Sequence, residues 1–139
     1  MKVLVHHIYE YKKGLRHLVL HTLKSSERAL AESKLCKQGI DYIVRPVSSL
    51  KVNLFFGHKE CVQVIREIGD KKLHEYTPEE DFVLGTMLGY DRLLQCKRYL
   101  EMKKKANAIQ GVEEKFSLQK QSELNQTEQL NKMRAIKAS

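Results

Sequence analysis

Apolar residues recur along this chain with two periods, and the switches between them mark out the elements. Near the start, Leu4, Ile8 and Tyr11 fit one helical face, with Gly14 placed to stop the helix. The β-branched and aromatic residues of Lys2 to Tyr9 also suit a strand, and the short helix is the reading carried forward. Leu15 to Leu23, LRHLVLHTL, reads as a first strand. Ser25 and Ser26 then cap a helix from Glu27 to about Gln38, which Gly39 ends. Ile40 to Val47 is a second strand with Pro46 near its exit, and Lys51 to Phe56 is a third. The short connection between them predicts an antiparallel hairpin. Gly57 releases the chain into a helix that closes at Gly69, and Asp70 to Tyr76 is a polar connection.

The strongest local signal follows. Thr77, Pro78 and Glu80 form a capping box with proline at the first helical position. Phe82, Val83, Met87, Leu88, Leu93, Leu94 and Leu100 supply a broad apolar face, so one helix is expected from Thr77 to Leu100. Gly85 and Gly89 lie four apart inside it. A helix-interior glycine costs about 1 kcal/mol relative to alanine, so the pair predicts close packing against the sheet or a second copy. After Ala106 the chain turns rich in Gln, Glu, Lys and Asn.

These elements predict an α+β fold: a small mixed three-stranded sheet with about four to five helices packed on it. The strand–helix–strand unit would form a parallel crossover, and the hairpin would add an antiparallel strand. Residues 1–105 form the single expected domain. Residues 106–139 form a polar tail, mobile or partly helical. Exposed sheet edges would favour pairing across a dimer or cover by the long helix.

Composition narrows the use of such a domain. The 139 residues suffice for one core, and 25 Lys+Arg against 17 Asp+Glu leave a net charge of +8. The segment after Ala106 is nearly balanced, so the excess sits in the body, concentrated at Lys97, Arg98, Lys103, Lys104 and Lys105. A basic body attracts acidic proteins, phosphates or anionic lipids. No apolar run approaches the roughly 18 residues of a membrane span, and no secretory signal pattern opens the chain; a cytoplasmic protein is expected.

Candidate chemistry is sparse. Gly57, His58 and Lys59 sit at a strand–glycine–helix junction, where free N–H groups can hold an anion; an ordinary turn is the competing reading. Cys61 shares a helix face with His58, and a thiol near a helix start can acidify, but Cys61 also lies on an apolar stripe with Ile65 and Ile68. His17 and His21 would point to one side of a strand, yet no third ligand is placed, so no metal and no cofactor are expected. Gly85 and Gly89, with Tyr90, Asp91, Arg92 and Arg98, form a candidate interface on the long helix. No nucleophile–base–acid set has recognisable spacing, so binding is expected rather than catalysis.

The strings VHHIYEYKKGLRHLVLHTL, VNLFFGHKEC and LGYDRLLQCKRYL resemble a small uncharacterised bacterial family, the domain of unknown function 2023. The resemblance covers about Met1 to Lys104. It implies three strands, about five helices, a homodimer and an accessory role beside flavodoxin-like electron carriers. It brings no catalytic residues. Flavodoxins are acidic, so a basic homodimer that docks such a partner is the leading expectation. A nucleic-acid-binding regulator using Lys97 to Lys105 is the first alternative. A small anion-binding or thiol-dependent domain using His58, Lys59 and Cys61 is the second.

Overall fold

The computed structural model describes residues 1–138. The helices are α1 (Lys2–Lys12), α2 (Arg28–Lys37), α3 (Lys59–Ile68), α4 (Pro78–Met87) and α5 (Arg92–Ala138); the strands are β1 (Leu18–Lys24), β2 (Asp41–Pro46) and β3 (Lys51–Gly57). The α+β class and the three strands agree with the sequence pattern. The N-terminal segment is a helix that buries Leu4 and Ile8. The chain divides into two compact units, Met1–Tyr99 and Leu100–Ser139. Among the described residues, no helix is long and apolar enough to cross a membrane.

The sheet is not mixed. Its order is β1-β3-β2, and both neighbours of β3 run antiparallel to it. The hairpin of β2 and β3 forms as expected, but β3 enters between β1 and β2, so the two strands joined through α2 never pair. Composition explains the placement. KVNLFFG is buried from Val52 onward, and so apolar a strand belongs at the centre, covered on both faces.

Strand alternation then sorts the core into two layers. On one face Val19, Leu23, Val52, Leu54 and Phe56 pack with Leu4 and Ile8 of α1 and Ala31 and Leu35 of α2. On the other, Leu18 and Phe55 pack with Val62 and Ile65 of α3, Tyr76, and Leu84 and Leu88 of the α4 region. Neither Ser25 nor Ser26 makes a side-chain cap for α2; they sit in a 3-10 turn, Ser25–Glu27, that leads into it.

The expected helix from Thr77 to Leu100 is two helices. The capping box at its start is formed: Glu80 N–H donates to Thr77 Oγ1 at 3.1 Å, and Thr77 N–H donates to Glu80 Oε1 at 2.9 Å. Eight residues past Asp81, Gly89 takes φ 80° and ends α4. Gly89 N–H donates to Thr86 O, and Tyr90 N–H to Gly85 O, both at 3.1 Å. This is a Schellman stop. Asp91 then caps α5, its Oδ1 accepting from Leu94 N–H at 2.9 Å. Apolar residues continue across the break, and that concealed the turn, but only those of the α4 region reach the core: Leu84 and Leu88 are buried, whereas Leu93, Leu94 and Leu100 of α5 are exposed.

Within the Leu100–Ser139 unit the helix continues, and Ile109, Val112, Phe116, Leu124, Leu130 and Met133 are exposed.

Candidate functional site

The second face of the sheet is apolar until its last row. Across the strands Leu20, Phe55 and Ile43 stand in register, and beside them Thr22, Asn53 and Arg45 form a polar row. Asn53 is buried, at 8% exposure, in the central strand. Its Oδ1 accepts from the Thr22 hydroxyl at 2.7 Å, which satisfies part of its hydrogen-bonding capacity.

Arg45 is less well served. Its Nε is buried and has no hydrogen-bond acceptor among the described residues. The nearest carboxylate, Asp70 Oδ1, lies 3.9 Å away on a largely exposed side chain, too far for a hydrogen bond. Arg45 opens onto a cavity of about 350 Å³ lined also by Asn53, Phe55, Lys71, Lys72 and His74. Phe55, Pro46, Val47 and Leu73 give it apolar walls. Lys71 is held at one side by Glu80, Nζ to Oε1 at 2.5 Å. Hydrogen bonding from Lys71, then from the Thr77 backbone, holds the Glu80 carboxyl below its ordinary range. The pocket is thus lined by a guanidinium group, two ammonium groups and an amide above an apolar floor. Such a set recognises a carboxylate or another oxyanion.

A second cavity, of about 380 Å³, shares Leu73 and His74 with the first and is lined also by Asp81, Gly85, Tyr90, Gln95 and Arg98. Arg98 donates to both carboxylate oxygens of Asp81, at 2.8 and 3.0 Å, bracing α5 against α4. Tyr99 adds a hydrogen bond to Glu79 at 3.2 Å.

The residues singled out in the sequence are distributed as follows. Gly85, Tyr90 and Arg98 meet at this second cavity. Gly89 and Asp91 build the turn, and Arg92 stands exposed at the start of α5. At Gly57 a side chain would overlap the His17 carbonyl, and His58 N–H donates to that same oxygen at 2.9 Å. The His58 ring rests between His17, 5.1 Å away, and Tyr11, 5.4 Å away. Close backbone approach therefore accounts for the glycine without an anion; Lys59 is exposed. Burial pushes the Cys61 thiol up and Glu60 adds to the effect, which disfavours the thiolate. His17 and His21 do not share a site: His17 precedes β1, and His21 lies 5.3 Å from His7. Among the described residues no group of three or more His, Cys, Asp or Glu side chains is arranged to hold a metal ion.

Arg45, Asn53, Lys71 and Lys72 belong to no sequence motif. Two of them carried a signal, a polar residue at a strand position that alternation assigns to the core: Asn53 within VNLFF and Arg45 within IVRPV.

A family model described as "Protein of unknown function (DUF2023)" matches residues 2–102. No curated protein matches the chain.

Proposed function

The chain belongs to this family of unknown function, DUF2023, and from that premise we propose that it is a non-enzymatic docking protein, a bacterial cytoplasmic homodimer that receives an acidic protein partner in the Arg45 pocket. One observation carries the reading: Arg45, whose Nε is buried without an acceptor among the described residues, lines a cavity together with Lys71, Lys72 and His74. A partner's Asp or Glu carboxylate supplies the missing acceptor, and the lysines steer its approach. Phe55 and Leu73 would cover the apolar part of that side chain. The net charge of +8 favours encounter with an acidic surface. β1 and β2, which bound the sheet, offer edges through which a second copy can pair.

An acidic flavodoxin is the natural first probe, titrated beside polyglutamate and duplex DNA at low and high salt. The reading expects flavodoxin and polyglutamate to bind, to weaken with salt, and to lose about tenfold in affinity on Arg45→Gln. Equal binding by wild type and Arg45→Gln would overturn it. Retention of duplex DNA of unrelated sequences, with no acidic protein bound, would transfer the charge to nucleic-acid recognition.

A further inference from the structure

The cavity between α4 and the start of α5 differs in chemistry from the Arg45 pocket. Gln95 is more than nine-tenths buried, and its Oε1 has no hydrogen-bond donor among the described residues. The amide lies over Gly85, where any side chain would strike it, so the backbone of α4 leaves room for this one polar group. Leu20, Tyr76, Leu84 and Leu88 wall the same cavity, and Tyr90 stands beside them. At about 380 Å³ it falls at the lower end of the roughly 300–1,000 Å³ range of small-molecule sites.

We propose that this cavity binds a compact neutral ligand with an apolar body and an N–H donor, such as a primary amide or an N–H heteroaromatic ring, and that Gln95 Oε1 accepts from it. The charge at the site selects the class. Asp81 and Arg98 are both lining residues, but they pair with each other through two hydrogen bonds. A carboxylate ligand would meet the oxygens of Gln95 and Asp81, and a cation would compete with Arg98 for Asp81. A neutral donor disturbs neither. The apolar walls take the body of the ligand, and the buried acceptor orients it.

The test uses the isotopically labelled full chain and three probes of one shape: benzamide, N,N-dimethylbenzamide and benzoate. Benzamide is expected to shift the Gln95 side-chain amide and the Tyr90 backbone amide saturably at millimolar concentration. The dimethyl compound, which has lost its donor, and benzoate should bind about tenfold more weakly or worse. Gln95→Leu should remove the preference for benzamide while leaving the fold, and Gln95→Met serves as a second replacement should leucine not fold. Equal binding of benzamide and its dimethyl derivative would overturn the proposal. So would the absence of any saturable shift, or a long-lived water on Gln95 that benzamide does not displace.

Discussion

The side-chain amide of Gln95 occupies the space a Cβ on Gly85 would need. The two residues come from different helices, and the pair accounts for one of the two glycines in GxxxG. Alanine at Gly85 would gain about 1 kcal/mol of helix propensity but would drive a buried amide from its place. Gly85→Ala is therefore expected to destabilise the wild-type chain and to stabilise a chain that already carries Gln95→Ala. A coupling of roughly 1–2 kcal/mol should appear in a double-mutant cycle read by urea unfolding. Additive effects would mean that the two residues do not share this space. Gly85→Leu should cost more, about 1–3 kcal/mol, through overpacking.

Gly89 has a different reason to be glycine. Its φ is 80°, and an added Cβ would touch nothing within 4 Å. The cost of replacement is conformational alone, so Gly89→Ala and Gly89→Leu should lose a similar amount, about 1–2 kcal/mol, and Gly89→Asn less. A Leu variant much less stable than the Ala variant would point to a contact at this position.

These two glycines show where the sequence could be read and where it could not. Thr77, Pro78 and Glu80 announced a helix start because capping is local chemistry, and the structure forms each of those bonds. Gly89 and Asp91 carried an equally local stop and start, but an unbroken apolar stripe outweighed them. The order of the strands was hidden for another reason. Strand alternation puts Leu18 and Val19 in opposite layers, but which strands are neighbours depends on the whole core. Arg45 and Asn53 lie in two strands, and Lys71 and Lys72 in the connection between α3 and α4, so no single motif could display the pocket.

Thr77 gives a direct measure of the local signal. Removing its hydroxyl orphans Glu80 N–H and weakens the capping box. Thr77→Ala should cost about 1 kcal/mol in urea unfolding, while Thr77→Ser should cost little. The same box contributes to acid stability. The Glu80 carboxyl is held low by Lys71 and Thr77, so its contribution is fully present above the unfolded value near 4.5 and is lost as pH falls through the folded one. Lys71→Met should flatten stability against pH in that acidic window; an unchanged profile would remove Lys71 from the account.

His7 and His21 set a second, higher pH window. Burial is the first cause that lowers both, and His7 lowers His21 further. Arg16, whose Nη1 lies 3.1 Å from His7 Nδ1, lowers His7 further, while Glu10 opposes. His6 and the N-terminus also face the pair as cations, and Glu27 opposes at His21. Depressed folded values mean that the unfolded chain binds more protons. Stability is thus full above the unfolded value of 6.5 and declines as pH falls below it toward the folded values. The unfolding midpoint should drop between about pH 7 and pH 5. His7→Gln together with His21→Gln should reduce that drop, and the same slope in the double variant would assign it to other groups.

Arg45 should separate stability from binding. In the free chain its Nε is a buried donor without an acceptor, which costs of the order of 1–3 kcal/mol. Arg45→Met keeps the length and the apolar contacts of the stem but removes that donor. The free protein should therefore melt at the same temperature or a few degrees higher, because the carboxylate beside it, Asp70, is exposed and 3.9 Å away. Affinity for an acidic probe should fall about tenfold in the same variant. A residue that served only the fold would give the opposite pair of results, with lower stability and unchanged affinity. Thermal melts and polyglutamate titrations of Arg45→Met and Asp70→Asn decide between the two. Asp70→Asn should change stability little, since so long and exposed a contact contributes almost nothing, and should improve binding by removing a competing charge.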